Sequence, residues 1–207
     1  VVLPQLEKNI SEDAINYSHV NVRIDRDKRC THLTINGPET TVADSVQDAK
    51  RSDFWPLLVM RELDDAILEL RFNELEIGTI LLYTKGVSAD VLGYDAFLHS
   101  NQDDWFAREV QLYIARVLSR VDLTSRSIFA RIEPDSCFSG FLAELAFAAD
   151  RSYMLEGQFE DRTNEQAAML SLSASNFGSY PMVNGLSRLQ VRFLGAPTAL
   201  TNAQASI

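Results

Sequence analysis

The sequence predicts an α/β protein in which an opening hairpin is followed by helices and strands in alternation. Residues 19–25 and 30–36 alternate apolar and polar side chains on either side of Arg26-Asp27-Lys28, the pattern of a hairpin with one buried face. Leu63, Ala66, Ile67 and Leu70 recur at the spacing of an amphipathic helix. Residues 127–155 then run from strand to small-residue turn to apolar helix to strand. This rhythm fits neither a sandwich nor a helix bundle.

Composition narrows the function classes. The 207 residues suffice for one large domain or two small ones. A net charge of −10 offers no basic stripe for phosphates, so nucleic acid is not an expected partner. Two cysteines, Cys30 and Cys137, are too few for a disulfide framework, and a reducing, cytoplasmic setting is expected. No apolar run approaches the ~20 residues of a membrane helix, so no membrane partner is expected. The start has neither a signal-peptide pattern nor an initiator Met, which suggests processing or a piece of a longer chain.

In chain order, residues 1–16 are polar and read as a lead-in or linker, with the main domain over 17–195. Gly37-Pro38 ends the hairpin, and 39–53 is weakly patterned. Trp55-Pro56 opens a helix, Pro56 being tolerated in the first turn. Residues 77–84 form a continuous apolar strand of the kind covered on both faces. Lys85-Gly86 turns the chain, and 89–98 is irregular or helical. Asp103 or Asp104 caps a helix that runs to about Ser119. Strands are expected at 127–132, 151–155 and 168–173, the first two of them buried, with a charged surface loop over 156–166. A turn and helix span 181–193, and 196–207 reads as a flexible tail.

The chemistry centres on residues 134–150. There a turn of small and polar residues leads into a helix that is apolar on nearly every side, and N–H groups at such a start can face a ligand. Glu144 lies inside that helix and is therefore either paired, with Arg188 as one candidate, or used. Ser139 is placed as the helix N-cap, since residues 136–140 lack the elbow pattern of a hydrolase nucleophile. Cys137 is a reactive thiol at a helix start or a packing residue. His19, His32 and His99 have no metal-ligand spacing, so no metal is expected.

Three segments carry a family resemblance. They are 62–67 with 74–84; Glu144-Leu145-Ala146-Phe147-Ala148-Ala149-Asp150; and Gly178-Ser179-Tyr180-Pro181 through Gly185-Leu186-Ser187-Arg188-Leu189. In order and spacing they resemble the crotonase (enoyl-CoA hydratase/isomerase) superfamily over about residues 18–195. The resemblance implies a ClpP/crotonase-like spiral of ββα repeats and an acyl-CoA substrate, with no cofactor beyond the substrate's own CoA moiety. It implies two backbone donors on the thioester oxygen, Phe141 after Gly140 and Tyr94 in residues 92–95. Glu144 matches one of the family's two acid–base glutamates, while the second falls near Ala174, where no carboxylate stands. Phe141 and Leu142 occupy positions where the family usually has glycines.

Residues 61–68, 71–74, 148–155 and 176–189 further resemble the C-terminal half of a lyase built from two crotonase-like halves. That enzyme opens the ring of 2,3-epoxybenzoyl-CoA to a semialdehyde acyl-CoA and formate. The resemblance implies a mainly structural half, partnered by an N-terminal crotonase-like half and assembled as a homo-oligomer. Two alternatives stay open: a stand-alone acyl-CoA hydratase, isomerase or lyase using Glu144, and a non-catalytic interaction or dimerisation module.

Overall fold

The computed structural model describes residues 1, 3–51, 53–157, 159–160 and 167–207. One seven-stranded sheet takes its strands in sequence order. β1 (Asn9–Ile10), β2 (Ala14–Asn16), β3 (Val20–Asp25) and β4 (Cys30–Asn36) pair antiparallel in succession. α1 (Val46–Ala49) and α2 (Trp55–Asn73) carry the chain to β5 (Thr79–Lys85), which returns parallel to β4. α3 (Ser88–Ser100) and α4 (Trp105–Asp122) lead to β6 (Ser127–Ile132), parallel to β5. A 3-10 turn (Gly140–Leu142) runs into α5 (Ala143–Ala148), and β7 (Arg151–Met154) closes the sheet parallel to β6. A second 3-10 turn (Ala174–Phe177), α6 (Arg188–Arg192) and α7 (Pro197–Gln204) follow. The α/β expectation holds.

The hairpin register puts Val20 opposite Ile35, Val22 opposite Leu33 and Ile24 opposite Thr31, so one pleated face is apolar but for Thr31, whose hydroxyl donates to the Arg23 carbonyl at 3.0 Å. Val22, Leu33, Ile80, Leu82, Ile128 and Ala130 on that face join Val59, Leu63 and Ala66 of α2 and Ile114 and Val117 of α4 in one core. Asp104 fixes where α4 starts, accepting the Phe106 N–H at 2.7 Å.

Past the strand ends the turns continue pairing through single rungs. The Gly37 N–H bonds the Lys85 carbonyl at 2.7 Å, and the Gly86 N–H bonds the Asp135 carbonyl at 3.0 Å. Gly86 has φ +144, and a Cβ there would lie 3.0 Å from the Gly37 Cα, so a side chain at 86 would force the two turns apart. The Ser171 N–H bonds the Phe138 carbonyl at 3.1 Å, and the Gly140 N–H bonds the Ser171 carbonyl at 3.1 Å. These rungs bring residues 171–176 against the start of the 140–148 helix.

Several expectations are corrected. Residues 1–16 do not run irregularly throughout: β1 and β2 within them extend the sheet. β5 is covered on one face only, its residues alternating between half-buried and buried. β7 is exposed along its length because it is the sheet's edge. Residues 168–173 provide one bridge, Ser171 to Ser139, rather than a strand. The stretch after Gly195 contains α7 instead of a loose tail. Of the loop expected over 156–166, residues 158 and 161–166 lie outside the described residues.

Candidate functional site

Of the expected site residues, Gly140, Phe141 and Glu144 share the helix start at Gly140, where the Asp95 carboxylate already sits. Gly140 has φ +49, a left-handed conformation that turns the Phe141 N–H toward α3. Asp95, buried on α3, faces it, and its Oδ1 accepts that N–H at 3.1 Å. Ser173 Oγ donates to Asp95 Oδ2 at 2.6 Å, and Ser175 Oγ reaches both carboxylate oxygens at 2.9 and 3.0 Å. A Cβ on residue 140 would stand 2.8 Å from Asp95 Cγ, so only glycine admits this approach. Burial pushes the Asp95 carboxyl above the usual carboxylate range, and bonds from Ser173, Ser175 and Phe141 pull it partway back.

One helical turn on, Glu144 is buried in a second network. Its Oε2 accepts Arg188 Nη1 at 3.0 Å, and its Oε1 accepts Asn176 Nδ2 at 2.7 Å. Arg188, itself 1 % exposed, also holds Asp122 through Nε at 3.0 Å and Nη2 at 2.6 Å, and donates to the Tyr180 carbonyl at 3.0 Å. This two-pronged grip suits the planar guanidinium. Asn176 ties the networks together. Its amide nitrogen also donates to the Gly140 carbonyl at 2.9 Å, and its oxygen accepts the Ser173 N–H at 2.9 Å. Burial raises Glu144 above its ordinary carboxyl range, opposed by Asn176 and then Arg188.

The other candidates fall as follows. The Phe141 N–H, the expected donor to a thioester oxygen, is spent on Asp95. Tyr94 does not stand beside it as a second donor. It sits in the middle of α3, where the helical ladder takes the backbone N–H, and its hydroxyl bonds the Thr41 carbonyl at 3.1 Å. Ser139 precedes the 3-10 turn but makes no side-chain cap bond, and its buried Oγ has no partner among the described residues. Cys137 is buried and its thiol is pushed up to about 11, chiefly by burial, which makes it a packing residue. Among the described residues no His, Cys, Asp and Glu group could hold a metal, and no helix is long and apolar enough to cross a membrane.

Sequence reading missed Asp95 and the Ser173–Ser175–Asn176 clasp. The clasp has a local signal: Ser173 and Asn176 form a capping box, a serine followed three residues later by an amide. Asp95 has none, since its partners lie up to 80 positions away.

A sheet whose strands follow sequence order, with α2 and α4 packed on its apolar face and a buried acid–arginine network at a helix start, defines the chain as an α/β protein. Its sequence is that of a partial homologue of a benzoyl-CoA-dihydrodiol lyase. The two are 44% identical over 208 residues, which is 99% of this chain, and the relative is the lyase of Aromatoleum evansii. The chain spans about a third of that lyase, 36%. No family model matches the chain. Among solved structures it is similar to Pseudomonas aeruginosa DspI, with TM-score 0.48 and 16% identity over 77% of this chain and 59% of that one. An enoyl-CoA hydratase from Geobacillus kaustophilus HTA426 gives TM-score 0.46 and 15% identity over 72% of this chain and 48% of that one.

Proposed function

We propose that this chain is the crotonase-like scaffold part of a benzoyl-CoA-dihydrodiol lyase, which supports the part that cleaves the ring. The observation that carries this reading is the bond from Phe141 N–H to Asp95. Stabilising a developing enolate requires backbone donors aimed at an unoccupied oxygen position. Here a carboxylate sits on the donor, and a second negative charge brought there would be repelled. Glu144 is buried, with one oxygen bonded to Arg188 and the other to Asn176, an arrangement that pairs the carboxylate inside the protein rather than presenting it as a general acid or base.

In this reading the complete enzyme acts on 2,3-epoxybenzoyl-CoA in the cytoplasm as a homo-oligomer, without a cofactor beyond the substrate's CoA. This chain shapes and holds the N-terminal half. The homology to a named lyase supports the substrate class. The test is Glu144→Gln in the complete two-part enzyme. Turnover of 2,3-epoxybenzoyl-CoA is expected to stay within about threefold of the parent, with a lowered Tm. A hundredfold fall in kcat at unchanged Tm would overturn the reading and restore the catalytic alternative.

A further inference from the structure

Away from the Asp95 and Glu144 networks, α2 and α4, with Val1 and Leu3 of the N-terminal segment, line a groove of about 750 Å³. Its walls include Leu57, Trp105, Leu112 and Tyr113, of which Trp105 is 51% and Leu112 57% exposed. Two guanidinium groups, Arg61 and Arg116, line it with one carboxylate, Glu109. In a chain of net charge −10 a locally cationic groove is unusual. Arg116 lies over the Tyr113 ring, its Cζ 4.6 Å from the centroid. Arg61 Nη1 is buried and has no hydrogen-bond partner among the described residues.

These features ask for one kind of ligand. Arg61 Nη1 lacks a hydrogen-bond partner among the described residues, and an acceptor brought to this guanidinium would supply one. Guanidinium geometry matches the paired oxygens of a carboxylate or sulfonate. The indole, phenol and leucine surfaces beside it suit a flat apolar body. The volume lies within the range of small-molecule sites, about 300–1,000 Å³.

We propose that this groove binds a small amphiphilic organic anion, its apolar body against Trp105 and Tyr113 and its anionic group on Arg61. This inference does not rest on the scaffold reading above, since the groove shares no residue with the Gly140 site.

The experiment is a fluorescence titration of the folded chain with 8-anilinonaphthalene-1-sulfonate. N-phenyl-1-naphthylamine, the same ring system without the sulfonate, serves as control. One saturable site per chain is expected for the sulfonate. Arg61→Gln should weaken its binding tenfold or more while leaving the neutral probe's affinity unchanged. Equal sulfonate affinity in parent and variant, a matching loss for the neutral probe, or binding that does not saturate would each overturn the proposal. Should Arg61→Gln fail to fold, Leu112→Glu at an exposed position decides the matter. It should weaken sulfonate binding tenfold while the melting curve stays that of the parent, and an unchanged affinity would overturn the proposal.

Discussion

Asp95 on α3 and Phe141 at the start of the 140–148 helix are joined by a carboxylate-to-amide bond of 3.1 Å that bridges 46 positions of sequence. The bond locks the glycine turn, and with Ser173 and Ser175 it clamps the 171–176 segment onto the domain. Asp95→Ala would leave the Phe141 N–H and two serine hydroxyls without this acceptor. A loss of about 3–5 kcal/mol is expected by urea denaturation. Asp95→Asn keeps one acceptor oxygen, and the hydroxyls can reorient toward it, so about 1–2 kcal/mol is expected. A loss below about 1 kcal/mol for the alanine variant would show that the clamp bears no load.

The same residue gives a pH signature. Burial holds the folded Asp95 carboxyl above its unfolded value, so the folded state keeps a proton that the unfolded chain has already released. Its contribution is complete below the ordinary carboxyl range and is lost as pH rises through the raised value. The stability advantage of the parent over Asp95→Asn should therefore narrow with rising pH across that window. Paired denaturation curves from pH 3 upward (about one-unit steps) measure this, and an advantage that widened would contradict it.

Arg188 neutralises both Glu144 and Asp122 at a fully buried position. Arg188→Met would strand two carboxylates, with an expected loss of about 3–5 kcal/mol. Removing the cation raises the Glu144 carboxyl further, so the loss should be greater above neutral pH than in mild acid. Glu144→Gln leaves Arg188 bonded to Asp122 and the Tyr180 carbonyl and should cost less, about 1–2 kcal/mol.

Ser139 separates two structural roles. A serine capping a helix through its side chain costs about 1 kcal/mol when replaced by alanine. Here the buried Oγ makes no cap bond, so Ser139→Ala is expected to be neutral or to stabilise by up to about 1 kcal/mol. Thermal melts distinguish the two signs.

Cys137 has its thiol pushed up to about 11, so about one in a thousand molecules carries the thiolate at pH 8. Alkylation of Cys137 by iodoacetamide in the native protein should be at least a hundredfold slower than after unfolding. Peptide mass spectrometry of the modified residue measures the rate. Fast native labelling would return Cys137 to the reactive class.

Much of the architecture is legible locally. Alternation marked β3 and β4, the Leu63–Leu70 stripe marked the buried face of α2, and the Asp103-Asp104 pair marked the start of α4, because burial period and capping are written in neighbouring residues. The possibility that Glu144 is paired with Arg188 was also open to sequence reading, since a carboxylate in an apolar helix must be matched. Two-residue and three-residue strands such as β1 and β2 carry too little periodicity to be seen. The helix of α7 buries no side chain and so leaves no apolar stripe.

By itself, then, the sequence determined the hairpin of β3 and β4, the inward face of α2, and the demand that Glu144 be either paired or used. The tertiary structure alone decided that Asp95 would sit on the Phe141 N–H, that Tyr94 would be taken into a helix, and that Arg61 would line a groove with its Nη1 unpartnered among the described residues. The physical reason is distance along the chain. Periodicity reports whether a residue is buried, but which polar groups meet in the interior is set by how distant helices and turns pack against one another.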